Sequence, residues 1–300
     1  MSTGSATGAR TRSRRNLILL VAGAVIAAGI VVGIAVALRT VPAVADFIET
    51  YPGGAPSAVP VQEGFPAWVS WQHFLNFFLL AMLVRTGLVS RGETRPMGYW
   101  SPRNRRSGLR LRLPVFAHLT LDVLWIANGL LYIVLLFATV RWSRLVPTDW
   151  EGIPHAVSVG LQYASLQWPT ESSWVHYNAL QQMTYFLVVF VLAPASFVTG
   201  LRLSPMWPKS AANLLPLERA RKVHFPLMIA FVLFVVGHVA LVLLTGAVRN
   251  LNHMFAGTDG EGWTGVIMFG VALVVTAGAV LAIRPMVLRT WAGLFGSVTR

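Results

Sequence analysis

The sequence contains no cysteine and very little charge. Without cysteine the chain cannot form a disulfide, hold an iron–sulfur cluster through thiolates, or attach haem through a Cys-x-x-Cys-His motif. Charged residues make up only 12% of the 300 residues, and 11 acidic residues stand against 24 lysines and arginines. A soluble chain of this length needs a far more polar surface, so the composition excludes a soluble globular protein.

Long apolar segments take the place of the missing charge. Apolar residues make up 55% of the chain. Six segments are long enough to cross a hydrocarbon core about 30 Å thick. These spans are predicted at residues 17–38, 67–89, 116–139, 178–200, 223–246 and 263–284. The sequence therefore predicts an all-α integral membrane protein with about six transmembrane helices.

The first span is predicted to be a retained signal-anchor helix. It follows the basic segment RTRSRR, and a small-residue sequence, AVA, ends at Ala45 in the manner of a signal-peptide cleavage site. Its uninterrupted apolar run is nevertheless longer than the roughly 7–15 residues of a signal-peptide core. We therefore expect this helix to stay in the membrane.

Charged residues alternate in sign between successive connections. One set of connections and both termini are basic: Arg10, Arg12, Arg14, Arg15, Arg91, Arg95, Arg103, Arg105, Arg106, Arg110, Arg112, Arg202, Lys209, Arg219, Arg221, Lys222, Arg284, Arg289 and Arg300. The other set is acidic: Asp46, Glu49, Glu63, Asp149, Glu151, Glu171, Asp259 and Glu261. The positive-inside rule then predicts that both termini are cytoplasmic in a bacterial cytoplasmic membrane, which requires an even number of spans. Topology and anionic lipid account for the net charge of +13, so no nucleic-acid partner is expected.

Histidine is the most informative polar residue in the spans, because polar side chains are costly inside a bilayer and tend to be functional there. Four of the seven histidines lie in or at the ends of spans: His73, His118, His224 and His238. The other three lie in connections on the acidic side, and the sequence assigns no role to them: His155, His176 and His253.

The spacing of the span histidines predicts two haem sites. His224 and His238 are 14 residues apart on the fifth span, which corresponds to about 21 Å along a helix and a difference of about 40° around it. His73 lies at the same outer depth as His238, and His118 at the same inner depth as His224. Each pair can supply both axial ligands of one haem iron, whereas zinc is a weaker fit because further ligands are missing.

Two glycines are predicted to leave room for the macrocycles. Gly87 follows His73 by 14 residues and lies at the inner depth, and Gly129 follows His118 by 11 residues and lies at the outer depth. The alternative explanation is that glycine serves helix packing, which is common in membrane proteins.

Three sequence segments carry a resemblance to a known family. They are WVSWQHFLNFFLLAMLVRTG around His73, FAHLTLDVLWIANG around His118, and KVHFPLMIAFVLFVVGHVALVLLTGAVRNLNHM around His224 and His238. Over roughly residues 66–250 the chain resembles the bacterial cytochrome b561 superfamily, which includes the membrane cytochrome b subunits of formate dehydrogenase and Ni/Fe-hydrogenase. The resemblance implies a four-helix core, formed by spans two to five, that binds two haems b through these four histidines.

The resemblance also suggests a division of the chain. Residues 1–16 form a basic cytoplasmic segment, 17–40 the signal anchor, 66–250 the di-haem core, and 263–300 the sixth span with the C-terminus. The segment 141–177 belongs to the core and is too long and aromatic for a simple connector. We expect it to form an extracytoplasmic cap together with residues 249–262.

Three further polar residues are candidates for the site. Asp122 is the only carboxylate in the predicted spans and lies one turn beyond His118. It could accept a proton from a quinol, pair with Arg85, or make a structural hydrogen bond. Arg85 and Arg249 could bind haem propionates, because arginine binds carboxylates through two hydrogen bonds. They could equally be interfacial residues with extended side chains.

The predicted function is that of a di-haem b-type cytochrome subunit. It would pass electrons between the quinone or menaquinone pool and an extracytoplasmic redox protein, for which the family suggests a molybdopterin oxidoreductase. Two alternatives stay open. One is a haem-bearing transmembrane reductase module without a quinone site, such as a ferric or methionine-sulfoxide reductase. The other is a transporter or membrane anchor without haem.

Overall fold

The computed structural model describes residues 5–55, 62–104, 108–168 and 173–299. Arg105, Arg106, Glu171 and Arg300 of the charge pattern lie outside these residues. The described residues form the helices α1 (Ser5–Arg39), α2 (Pro42–Thr50), α3 (Ala67–Gly92), α4 (Leu113–Ala138), α5 (Gly152–Ala164), α6 (Ala179–Phe186), α7 (Ala193–Leu203), α8 (Leu217–Leu244), α9 (Ala247–Leu251), α10 (Thr264–Leu281) and α11 (Pro285–Phe295). They also form the short strands β1 (Tyr99–Pro102), β2 (Leu111–Arg112) and β3 (Gly296–Thr299).

Six helical segments are long and apolar enough to cross a membrane, as predicted. They are Ile18–Arg39, Ala67–Gly92, Leu113–Ala138, Ala179–Leu203, Leu217–Leu244 and Thr264–Leu281. Many large apolar side chains on these segments are exposed, including Leu130, Leu233 and Val274. Such surfaces are stable in lipid, where a helix also satisfies its own backbone hydrogen bonds. The chain is therefore a multi-pass, all-α membrane protein.

The fifth span begins earlier than the sequence suggested. Helix α8 starts at Leu217, directly after Pro216, whereas the apolar pattern predicted a start at 223. Its first turns carry Glu218 and the basic residues that precede His224. Hydropathy locates the apolar part of a helix, whereas the helix itself begins directly after Pro216, its N-cap residue. His224 thus lies two turns inside α8.

The fourth span is not a regular α-helix. It consists of α6, a π-helical turn at Leu187–Leu192, and α7. Pro194 lies in the first turn of α7. Proline has no N–H, and its ring clashes with the carbonyl group four residues earlier. The π turn directly before Pro194 absorbs this clash without ending the span.

Contacts divide the chain into two compact units. The first contains Met1–Ala58, Pro147–Ser172 and His176–Met183. In this unit α1 and α2 both pack against α5. Gly53 adopts a φ of +119° and lies directly against Val159, so only glycine fits there. The Gly53 N–H donates to Nδ1 of His155 at 3.1 Å; this histidine, which the sequence placed in a connection, lies in α5.

The second unit contains Val59–Val146, Ser173–Val175 and Thr184–Arg300. Its best-packed region lies where α3 ends and α4 begins, next to the arginine-rich connection; we call this the basic end. The buried side chains of this region come from α3, α4, α11 and the turn between α10 and α11: Leu79, Met82, Leu83, Leu113, Phe116, Ala117, Leu121, Ile283, Leu288 and Ala292. They fix the relative position of α3 and α4, which carry two of the four span histidines.

A small antiparallel sheet covers this core, and the sequence did not predict it. The strand order is β2-β1-β3. The C-terminal strand β3 pairs with β1, so that Val298 lies opposite Trp100. Trp100 stacks on Phe116 with ring centroids 4.6 Å apart. The strands are too short for a recognisable alternation of polar and apolar residues. In addition, the pairing of β1 with β3 joins segments almost 200 residues apart.

Two buried arginines hold a cap at the opposite end of the second unit. From here on, "cap" means residues 62–65, 141–146, 173–175 and 249–259 of this unit. Of the segment 141–177 that the sequence predicted as part of a cap, residues 147–172 and 176–177 belong to the first unit. Arg144 donates to the carbonyl groups of Gly64, Ser173, Trp174 and Val175 at 2.8–3.1 Å. Arg141 donates to the Gly64 carbonyl group at 2.7 Å. Carbonyl dipoles thus solvate the two guanidinium groups, which burial would otherwise strongly disfavour.

An ion-pair cluster completes the cap. Asp259 accepts two hydrogen bonds from Arg249, at 2.8 and 3.1 Å, and contacts Nε2 of His253 at 2.7 Å. Nδ1 of His253 lies 3.2 Å from the Ser173 hydroxyl oxygen. The His253 ring, which is only 2% exposed, also packs on Phe65 and Trp174. The hydrogen bonds from Arg249 and His253 hold the pKa of the Asp259 carboxyl group well below its usual range, and the one from Arg249 has the larger effect.

We expect this cluster to contribute stability that disappears only in strong acid. A carboxyl group with a depressed pKa in the folded state contributes stability above its unfolded pKa of about 4, and this is lost as the pH falls towards the folded value. Asp259→Asn should lower the apparent melting temperature in detergent at pH 7 and flatten its decline below about pH 4. Asp46→Asn, at an exposed helix position, is the matched control. Equal melting curves for the two variants would contradict the prediction.

Candidate functional site

The four span histidines form two facing pairs in the second unit. The ring centroids of His73 and His238 are 6.2 Å apart, and those of His118 and His224 are 6.5 Å apart. The pairing is the one that the spacing predicted. Helix α8 contributes one ring to each pair, α3 contributes His73 from its second turn, and α4 contributes His118 from its second turn.

Side chains between the two pairs keep them separate. Trp125 follows His118 by seven residues on α4, and Phe231 follows His224 by seven residues on α8. Their rings meet edge to face with centroids 6.0 Å apart. Phe231 is only 6% exposed. The contact therefore lies between the two histidine pairs along α4 and α8.

The His118–His224 pair lies at the basic end and has the same support on both sides. Nδ1 of His118 lies 2.9 Å from the Thr86 hydroxyl oxygen on α3, and Nδ1 of His224 lies 3.0 Å from the Thr199 hydroxyl oxygen on α7. The next residue in each case is glycine. A β-carbon on Gly87 would lie 3.3 Å from Cε1 of His118, and one on Gly200 would lie 3.2 Å from Cε1 of His224.

Of these four residues beside the histidine rings, only Gly87 was predicted from the sequence as a site residue. The sequence predicted that Gly87 makes room for a macrocycle, and in the structure Gly87 lies against the ring of His118. Thr86, Thr199 and Gly200 were missed. A signal existed, because the dipeptide Thr-Gly occurs near the end of both the second and the fourth spans. Its meaning depends on which helices are neighbours, which the sequence does not state.

The His73–His238 pair lies near the cap and has an aromatic environment. Phe255 meets the His73 ring edge to face at 5.6 Å, and Phe234 stacks on the His238 ring at 5.6 Å. Nδ1 of His73 is buried without a hydrogen-bond partner among the described residues. The Tyr185 hydroxyl group lies 3.5 Å from Nδ1 of His238, which is long for a hydrogen bond.

The helix backbones leave space between the histidines. Among the described helices, α3 packs closely on α4 and α7 on α8, whereas α4 and α8 meet through their side chains. Two imidazoles bound to one metal ion by bonds of about 2 Å have ring centroids roughly 6 Å apart. Both observed separations match this value, and the described residues contain no cluster of three or more metal-ligating side chains. The histidine pairs therefore fit axial ligation of a haem iron.

Asp122 lies beside the His118–His224 pair. Its Oδ2 atom is 3.8 Å from Nε2 of His118, one turn along α4. Arg85, the residue before Thr86, is exposed, and no ion pair between Arg85 and Asp122 occurs in the described part of the chain. Among the described residues, Asp122 therefore contacts His118 and does not pair with Arg85.

Gly129 and Arg249 lie towards the cap end. A β-carbon on Gly129 would meet nothing within 4 Å, so the chain leaves open space beside it. Arg249 forms an ion pair with Asp259 in the cap. Of the three histidines that the sequence placed in connections, His253 belongs to the same ion-pair cluster and His155 lies in α5 of the first unit. His176 lies in the loop before α6.

Comparison with known proteins adds a family to this geometry. A family model described as prokaryotic cytochrome b561 matches residues 64–257, a range that includes all four span histidines. A protein of Azospira oryzae named putative protein-methionine-sulfoxide reductase subunit YedZ1 is 29% identical over 199 residues. These cover 64% of this chain and 95% of the relative. No solved structure matches the chain.

The close approach at Gly200 gives a prediction about the His224 ring. Gly200→Ala should displace this ring by a few tenths of an ångström, although alanine favours a helix by about 1 kcal/mol over glycine. We expect a changed electron paramagnetic resonance signal of ferric haem in the purified variant, because that signal depends on ligand-ring orientation. Gly278→Ala on α10, where a β-carbon meets open space, is the matched control. Identical spectra for both variants would argue against His224 as a ligand.

Proposed function

Because the chain belongs to the prokaryotic cytochrome b561 family, we propose that it binds two haems b and carries electrons across the membrane. The electrons would pass between the quinone or menaquinone pool and a redox protein on the extracytoplasmic side. Family membership by itself makes the chain a haem-binding b-type cytochrome of membrane electron transfer. The number of haems, the quinone and the partner are the proposed part.

One observation carries the proposal of two haems: the two facing histidine pairs, one towards each end of α8. His118 and His224 would hold one haem, and His73 and His238 the other. The 14-residue separation on α8 corresponds to about 21 Å along the helix. Bound haem supplies reversible one-electron oxidation and reduction of iron. The chain supplies the ligands, the spacing and the low-dielectric surroundings that tune that chemistry.

The orientation follows from charge. We propose that the basic end and both termini are cytoplasmic and that the cap is extracytoplasmic, because short arginine-rich connections stay inside. The division into residues 1–16, 17–40, 66–250 and 263–300 stays part of the proposal. In this orientation the His73–His238 pair lies near the extracytoplasmic surface, from which a partner could exchange electrons with it.

A quinone site is proposed at the basic end. Quinone and quinol differ by two electrons and two protons, so the site needs a group that exchanges protons. Asp122 is the only carboxylate well inside a span, and it lies 3.8 Å from His118. The Asp122 carboxylate would take up or return a proton of the quinone ring. Arg85 at the same level would bind an anionic group there, such as a propionate.

Two kinds of partner are candidates. The family includes cytochrome subunits of larger oxidoreductases, which favours a molybdopterin enzyme on the extracytoplasmic side. The relative from Azospira oryzae is named as a subunit of a methionine-sulfoxide reductase, and this chain covers 95% of its length. That relationship favours a second candidate, in which the chain delivers electrons to a methionine-sulfoxide reductase.

The first test counts haem and assigns its ligands. We expect a reduced-minus-oxidised spectrum and pyridine haemochrome assay to give about two low-spin haems b per chain. His118→Ala and His224→Ala should each remove the haem proposed between these two residues. His73→Ala and His238→Ala should each remove the other haem. His155→Ala, which alters a histidine of the first unit, is the control and should retain both haems. Purified chain that lacks haem after expression with ample haem supply would refute the proposal.

The second test concerns the quinone site. Menaquinol added without oxygen should reduce the haems, and Asp122→Asn should slow this reduction at least about tenfold, since a positioned proton acceptor typically contributes about 10²–10⁴ in rate. Reduction by dithionite, which needs no proton acceptor, should be unaffected and serves as the control. A wild-type protein that dithionite reduces but menaquinol does not would favour the reductase module without a quinone site.

A further inference from the structure

The two threonines at the His118–His224 pair use their hydroxyl groups in the same way. The Thr86 hydroxyl group donates to the carbonyl group of Met82, four residues earlier on α3, at 2.9 Å. The Thr199 hydroxyl group donates to the carbonyl group of Ala195 at 2.7 Å. Thr86 is 0% exposed and Thr199 is 7% exposed, so water does not compete for either group.

Counting protons then defines the hydrogen bond to each ring. A hydroxyl group has one proton to donate and two lone pairs to accept with. Since the proton of each threonine is used by its own helix, the oxygen accepts from the histidine. Nδ1 of His118 and Nδ1 of His224 therefore each carry a proton. Each Nε2 has a free lone pair, which is the form of histidine that binds a metal ion.

We propose that Thr86 and Thr199 are positioning residues that fix His118 and His224 as Nδ1–H tautomers and thereby lower the reduction potential of the haem held between them. The inference rests on the proposed function, because it concerns one of the two proposed haems. It assigns a role to two residues that make no contact with iron themselves.

The effect on the potential follows from the direction of the hydrogen bonds. A ring that donates its second N–H to an acceptor becomes a more basic ligand. A more basic ligand stabilises ferric iron more than ferrous iron, so the potential falls. Both ligands of this pair have such an acceptor.

The other pair lacks this support. Nδ1 of His73 has no partner among the described residues, and the Tyr185 hydroxyl group lies 3.5 Å from Nδ1 of His238. The threonines therefore act on one haem and leave the other unaffected, which makes their role measurable. A redox titration of the whole protein resolves the two haems, and only one should respond.

The test replaces each hydroxyl group by a methyl group. Thr86→Val and Thr199→Val keep the side-chain shape but remove the acceptor. We expect each to raise the midpoint potential of a single haem, with a several-fold change in the ferric-to-ferrous ratio; a tenfold change corresponds to about 59 mV for one electron. Thr86→Ser and Thr199→Ser keep the hydroxyl group and should restore the original potential.

Thr120→Val is the matched control. The Thr120 hydroxyl group donates to the carbonyl group of Phe116 at 2.9 Å in the same manner, but no histidine among the described residues bonds to it. The inference is wrong if Thr86→Val and Thr199→Val match Thr120→Val in the midpoint potentials of both haems and in the electron paramagnetic resonance spectrum of ferric haem. If a valine variant loses one haem, restoration by serine supports the inference, whereas loss in the serine variant as well overturns it.

Failure of the proposed function gives a different result. If His118→Ala and His224→Ala both retain the full haem content, the haem does not lie at this pair, whatever the threonine variants do. If those alanine variants each lose one haem and the valine variants change nothing, the site is correct and only the role of the threonines is wrong.

Discussion

The rest of the structure depends on one constraint: pairs of imidazole rings from different helices must face each other about 6 Å apart while the helix backbones stay separated. Helix α8 meets this constraint twice, because 14 residues amount to nearly a whole number of turns. The pairing of α3 with α4 and of α7 with α8 positions the partner histidines. The contact between Trp125 and Phe231 keeps the two sites apart.

The two ends of this helical core are stabilised by different interactions. At the basic end, an apolar cluster and a three-stranded sheet fix the start of α4, and hydroxyl groups orient both histidines. At the cap end, buried arginines bind backbone carbonyl groups, and aromatic rings surround the histidines. Polar contacts to the histidine rings are thus concentrated at one pair. If each pair holds a haem, as proposed, the two haems would have different surroundings, and electrons would occupy them in a preferred order.

The sequence predicted much of the membrane architecture for clear physical reasons. The length of the apolar segments identified the six spans, because a helix that crosses the hydrocarbon core needs about 20 mostly apolar residues. The cost of burying imidazole directed attention to four of the seven histidines, and helix periodicity paired His73 with His238 and His118 with His224. The exact start of α8 at Leu217 escaped prediction because hydropathy reports contact with lipid and does not report where a helix begins. The π turn before Pro194 and the sheet escaped because backbone distortion and long-range pairing leave little trace in local composition.

By itself the sequence determined which residues enter the membrane, which of them are polar, and at what depth they lie, because these properties follow from composition and from the regular rise of a helix. Only the tertiary structure decided which helices are neighbours. That decision brought Thr86 next to His118 and Thr199 next to His224. Hydrogen bonds depend on distances of a few tenths of an ångström between segments far apart in the chain, and local sequence patterns do not contain that information.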